Sequence, residues 1–191
     1  MRIAVFAYGS LVSPASFAET LGREPGELAM TRLPRWRRSW TVCRDNRATE
    51  KTFADSGGRI PPFIVGLNLE PDAGRESPPP NGVLIEVSEA ELERLDLREM
   101  RYDRVEVSAE AASDAFDRVF TYTAKAHHFA PEPPEGAVAM APYLRAVEKA
   151  FRALGDGEWE HFLSSTGLPP VEPIEPQLVR DEIPPGNPRG W

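Results

Sequence analysis

Two stretches of the chain hold groups able to do chemistry. The first is Tyr8-Gly9-Ser10-Leu11. A short apolar, β-prone run from Ile3 to Tyr8 leads into it, and Ser13-Pro14 reads as the N-cap and first position of a helix that Gly22 stops. A strand, a tight turn and a helix start leave the backbone N–H groups of Gly9, Ser10 and Leu11 free to converge on a carboxylate or phosphate, because unpaired donors and a helix N-terminus both favour an anion. On spacing alone, an ordinary strand-to-helix turn accounts for the same residues. The second stretch is Glu99, at a helix end immediately before a strand. A carboxyl group at such a junction can project into a cavity, where desolvation disfavours the charged form and suits the group to give and take a proton. Solvation, or pairing with Arg98 or Arg101, is the commoner fate of such a glutamate.

The remaining reactive types are poorly placed. His127 and His128 are adjacent and point to opposite sides of any strand, and with His161 they show no metal-type spacing, so surface or loop roles and no bound metal are expected. Ser10 lacks the G-x-S-x-G elbow and has no acid or histidine placed to complete a triad. The single cysteine, Cys43, reads as a core residue at the end of an apolar strand; it excludes an intrachain disulfide and fits a reducing compartment.

The elements that must position these groups follow from pattern. Strands are expected at Leu33–Cys43, Phe63–Leu69, Val83–Val87, Tyr102–Val107 and Val119–Thr123, the last two paired across the loop 108–117. Residues 44–59 are polar and aperiodic and read as a loop or flap. The cluster Arg35, Arg37 and Arg38, interleaved with Trp36 and Trp40, reads as the wet face of a strand. The best-specified helix opens at Ser88 with Glu91 three positions on, a capping box, and buries Leu92 and Leu95. A later helix opens at Pro142 and ends at Gly155, and a shorter one surrounds Trp159, Phe162 and Leu163. Residues 168–191 hold seven of the twenty prolines, a density that argues against regular structure and for an extended tail. The expected division is thus a domain over residues 1–167 and a proline-rich tail over 168–191.

At 191 residues the chain suits one domain with a real core. Its net charge of −8 argues against nucleic acid and anionic membrane surfaces as partners, and no stretch reaches the length of a signal core or a membrane span, so a cytoplasmic location is expected. Consecutive strands without intervening helices, and a lone Gly9 where a dinucleotide fingerprint needs three glycines, exclude a doubly wound sheet and favour an α+β fold with a mixed or antiparallel sheet.

Taken together, Ala7-Tyr8-Gly9-Ser10-Leu11 and, downstream, Leu95-Asp96-x-x-Glu99-x-x-Tyr102-x-Arg104 resemble the γ-glutamylcyclotransferase-like superfamily, its bacterial and avirulence-induced-gene-like members most of all. The resemblance runs through Val119–Thr123 and Pro142-Tyr143-Leu144, covers roughly residues 1–155, and does not extend to the tail. It implies a small mixed, partly antiparallel β-barrel flanked by helices. Tyr8, Gly9, Ser10 and Leu11 would hold a small γ-glutamyl substrate, Tyr102 and Tyr143 would stand in the cavity wall, and Glu99 would be the general acid/base, with no cofactor. The chain departs from the pattern at Met100, where many relatives carry glycine; the bulkier residue would narrow the cavity mouth or shift the Glu99 backbone. A non-catalytic metabolite-binding module on the same fold, and a pathway-specific enzyme removing a γ-glutamyl protecting group, satisfy the same residues.

Overall fold

The computed structural model describes residues 1–72, 74, 77–111 and 113–188. In chain order the elements are β1 (Ile3–Ala7), α1 (Pro14–Leu21), β2 (Ala29–Arg32), β3 (Trp36–Asp45), β4 (Lys51–Ala54), β5 (Phe63–Pro71), β6 (Asn81–Val87), α2 (Glu89–Arg98), β7 (Tyr102–Glu106), α3 (Ser108–Ala111), β8 (Arg118–Ala124), β9 (Ala137–Met140), α4 (Ala141–Ala153), α5 (Glu158–Thr166), β10 (Pro173–Ile174) and β11 (Gln177–Asp181). All five residues of β1 are buried, which is why an uninterrupted apolar run was needed there. It is the central strand of a five-stranded sheet of order β2-β6-β1-β8-β7, antiparallel to β6 and parallel to β8. A second sheet has the order β10-β9-β5-β3, and β4 pairs with β11 alone.

The fold is therefore α+β with mixed sheets, but the expected barrel does not close. Among the described residues no main-chain ladder joins the two larger sheets. Where β5 passes β8, side chains take the ladder's place: Asn68 Oδ1 accepts the Ala124 amide at 2.7 Å, and the Tyr102 hydroxyl donates to the Leu67 carbonyl at 2.8 Å.

Four further expectations are corrected, the last being that the tail 168–191 lacks regular structure: it contains β10 and β11. The segment 44–59 is not all loop, because it completes β3 and contains β4. Arg38 does not lie on a wet face: strand alternation puts it with Trp36 and Trp40, and all three are buried while Arg37 is exposed. Cys43 is half-buried and belongs to neither apolar cluster. The prolines of the tail bracket β11 without entering it, and Pro173 begins a two-residue edge strand, the positions a sheet tolerates. The tail thus pairs with β9 and β4, although its residues 189–191 lie outside the described set.

Helix α2, which delivers Glu99, carries the capping box in full: the Ser88 hydroxyl accepts the Glu91 amide at 3.3 Å and the Glu91 carboxylate accepts the Ser88 amide at 2.8 Å. Arg23 also clamps that carboxylate, at 2.5 and 3.0 Å. The Arg23 bond, with the Ser88 donors behind it, outweighs burial and brings Glu91 from 4.5 down to about 2. A depressed carboxylate stabilises the fold fully above its unfolded value and loses that stabilisation as pH falls toward the folded one. Glu91→Gln is expected to cost about 1 kcal/mol at neutral pH. The gap should close between pH 4.5 and about 2 in urea unfolding; an equal gap at both ends would show that lost packing, not lost charge, is responsible.

Among the described residues, the tail contributes none to the main core cluster. Deleting 168–191 should leave a cooperative thermal transition at lower temperature while the amides of Lys51–Ala54, whose strand partner is gone, lose protection from hydrogen exchange. Unchanged exchange there would show that β4 holds its place without β11.

Candidate active site

After β1 the chain turns through a single 3-10 turn, Ser10–Val12, before α1. The first bond of that turn runs from the Val12 amide to the Gly9 carbonyl at 3.1 Å, so the amides of Gly9, Ser10 and Leu11 carry none of its bonds. One anchor orients them. Arg38 Nη1 donates to the Tyr8 carbonyl at 3.0 Å. A trans peptide is planar, so a carbonyl drawn toward Arg38 turns the Gly9 N–H of the same peptide the opposite way. Gly9 also leaves room: a Cβ there would stand 3.0 Å from the Tyr143 hydroxyl.

This turn and Glu99 line one cavity of about 150 Å³, whose wall also includes Tyr8, Tyr102 and Tyr143. Residues 90 positions apart in sequence, Gly9 and Glu99, thereby share a single space. Glu99 is the C-cap of α2, with its amide bonded to the Leu95 carbonyl at 2.8 Å. Arg98 holds its carboxylate, Nε donating to Oε1 at 3.1 Å, while the rest of that guanidinium bonds the Ser16 carbonyl and hydroxyl and the Thr20 hydroxyl on α1. The helix-end ion pair and the cavity position are thus both present. Among the described residues no donor meets Oε2.

Tyr8 and Tyr102 are held by their hydroxyls. Tyr8 donates to the Tyr122 carbonyl at 2.8 Å; burial, and behind it Tyr102, Glu99 and Tyr143, raise its pKa well above the ordinary value, so it stays a neutral donor. Tyr143 sits edge-on to Trp40, ring centroids 6.3 Å apart. Ser10 and Leu11 lie on the wall through the turn itself. The three histidines lie off this wall, and among the described residues no cluster of His, Cys, Asp or Glu could hold a metal.

Sequence reasoning missed the cationic part of the wall: Arg44, Lys51 and Arg101, with Glu50. Arg44 and Lys51 lay in the segment read as a flap, and Arg101 figured only as a partner for Glu99, whereas it bonds Glu50. The remaining signal was the charge density of this segment, which a solvated loop explains equally well.

No family model and no curated protein matches the sequence. Solved structures do match. A gamma-glutamyl cyclotransferase aligns over 91% of this chain and 89% of its own at 14% identity, TM-score 0.59. An uncharacterized protein from Homo sapiens aligns over 90% and 89% at 14% identity, TM-score 0.60. A yeast gamma-glutamyl cyclotransferase specific to glutathione aligns over 86% and 97% at 14% identity, TM-score 0.50. The chain shares the fold of these gamma-glutamyl cyclotransferase structures. No helix among the described residues is long and apolar enough to cross a membrane.

Arg38→Lys tests the anchor beneath the turn. Lysine keeps the charge but offers three donors in place of a five-donor fork. A loss of about 3 kcal/mol in urea unfolding is expected, the scale of one or two hydrogen bonds to a charged group; a loss under about 1 kcal/mol would mean that the fork is not needed.

Proposed function

We propose that this chain is a γ-glutamyl cyclotransferase. The observation that supports the reading best is the joint presence, on one cavity, of the turn amides and the Glu99 carboxylate. The shared fold supports it independently.

In this reading the α-carboxylate of a γ-glutamyl group lies on the amides of Gly9, Ser10 and Leu11, which places its α-amine near its own γ-carbonyl. That amine arrives protonated at neutral pH, and the Glu99 carboxylate is the group placed to take the proton. The free amine attacks the γ-carbonyl carbon and closes a five-membered ring. The tetrahedral centre then collapses as the C–N bond to the departing amine breaks; Glu99 returns its proton to that nitrogen, the ring nitrogen gives up its second proton, and the amine departs as an ammonium. The products are 5-oxoproline and an amine or amino acid; water is not consumed, and Glu99 ends as it began. With Arg98 fixing Oε1, Oε2 is the oxygen available for the proton.

Glu99→Gln preserves shape and an acceptor for Arg98 but cannot carry a proton. Release of 5-oxoproline should fall by about 10²–10⁴-fold while fold and ligand binding persist. Turnover at the parent rate would remove Glu99 from the mechanism. A parent protein that binds γ-glutamyl compounds calorimetrically but releases no 5-oxoproline would be a metabolite-binding module instead.

A further inference from the structure

Helix α2 ends without the left-handed glycine that commonly closes a helix. Glu99 at its C-cap has φ −86° and ψ 40°, and neither Met100 nor Arg101 after it has a positive φ. The carbonyls at a helix end have no partner within the helix and must find donors elsewhere. Here one donor is local and the others come from far along the chain. The Tyr102 amide donates to the Glu99 carbonyl at 2.8 Å. Lys125 Nζ donates to the Met100 carbonyl at 2.9 Å, and the Lys125 amide to the Arg101 carbonyl at 3.0 Å. Asn187 Nδ2, 90 positions beyond its acceptor, donates to the Leu97 carbonyl at 2.6 Å.

Both remote donors are held in place. Lys125 follows β8 directly, next to Ala124, whose amide is held by Asn68 Oδ1 of β5 at 2.7 Å. Its base is thereby pinned where the two larger sheets meet. The half-buried ammonium also stands at the negative end of the helix, where a cation is favoured. Asn187 arrives by a different route. β11 lies along β4, the Glu182 amide donates to the Glu50 carbonyl at 2.6 Å, and a turn closed by the Asn187 amide on the Pro184 carbonyl at 3.1 Å brings the side chain to α2. The tail therefore runs from one stretch of the cavity wall, Glu50 and Lys51, to another, the segment that carries Arg98 and Glu99.

We infer that Lys125 and Asn187 are positioning residues that cap the C-terminus of α2 from outside the helix and fix the Glu99 carboxylate in the cavity, so that the proline-rich tail takes part in the site. The inference rests on the cyclotransferase reading, in which Glu99 moves the proton. The two capped carbonyls flank Glu99, two residues before it and one after. Arg98 holds Oε1, but the main chain beneath the side chain decides where Oε2 stands. A helix end that frays moves that oxygen, and a misplacement of about 1 Å can cost about 10²-fold in rate. Neither Lys125 nor Asn187 lines the cavity, so both act on turnover through Glu99 and not by touching the substrate.

The test reads kcat and KM separately for 5-oxoproline release from γ-glutamylalanine. Lys125→Met keeps the aliphatic stem and removes one donor; Asn187→Ala removes the other. Each should lower kcat by about 3–10-fold and the two together by about 10–10²-fold, with KM changed by less than about twofold because the turn amides are untouched. Lys125→Arg, which restores a donor, should recover most of the loss. Glu175→Gln loosens the tail elsewhere, at Arg145 on α4, and should leave kcat as it was. Unchanged kcat in the double variant overturns the inference, and so does an equal loss in Glu175→Gln, which would give the tail a role in stability alone. If Lys125→Met fails to fold, Asn187→Ala carries the test. If the parent releases no 5-oxoproline, the cyclotransferase reading fails separately, and the caps are read by hydrogen exchange. The amides of Glu99 and Tyr102, bonded to the Leu95 and Glu99 carbonyls, should then exchange faster in Asn187→Ala and in the double variant, and unchanged protection there overturns the capping.

Discussion

Much of the molecule hangs on a buried arginine without a carboxylate. Arg38 is 2% exposed, and each of its five N–H donors has a neutral acceptor: Thr166 Oγ1 for Nε; the Tyr8 and Asn81 carbonyls for Nη1; Asn81 Oδ1 and Ser165 Oγ for Nη2. Its plane lies over the Phe162 ring at 3.8 Å from the centroid. Burial pulls its pKa well down. Only a full set of acceptors makes such a charge tolerable, so the end of β1, the start of β6 and the end of α5 must all arrive at β3 together. A second layer continues the network, since Asn81 Nδ2 donates to the Glu158 carbonyl and carboxylate, and Glu158 pairs with Arg32.

This constraint reaches the cavity directly. By drawing the Tyr8 carbonyl one way, Arg38 fixes the peptide whose N–H belongs to the turn. Arg98 does the equivalent work for the other half of the site, tying the end of α2 to α1 while holding Glu99. Two arginines that act as braces thus set the mutual position of the amides and the carboxylate. Rigid support of this kind is what a site built from distant pieces of chain requires.

The elements legible in the sequence were those whose cause is local. The apolar run of β1, Ser13-Pro14, the positive φ of 75° at Gly22 and the Ser88–Glu91 box all act over a few residues. The helix end and strand start around Glu99 were readable locally, but the family resemblance, not that junction, singled out its carboxyl group. What escaped was set by distant partners. Arg38 resembled any surface arginine until acceptors 30, 43 and 127 positions away enclosed it. Strands β2 and β9, four residues each, are too short to show a period, and β4 exists through its pairing with β11. The barrel was implied by the family resemblance, but two side chains, Asn68 and Tyr102, bridge the sheets where a ladder would have closed it.

The site therefore divides between two kinds of scaffold. The turn follows the central, wholly buried strand of the larger sheet, and Glu99 ends a helix capped at its start and braced at its end; displacing either disturbs the main core. Arg44, Glu50 and Lys51 belong instead to the far end of β3 and to the two-stranded annex of β4 and β11, which is tied on by local bonds such as Arg180 to the Thr49 carbonyl and Glu182 to the Glu50 carbonyl. An annex supported by few core contacts can change its side chains at little cost to the whole fold, and it opens locally more readily than a central strand does. Under the proposed mechanism, proton transfer then sits on the rigid part, while the annex supplies an adjustable stretch of the cavity wall. Substitutions within the annex can retune what the cavity admits without moving the carboxylate that does the chemistry.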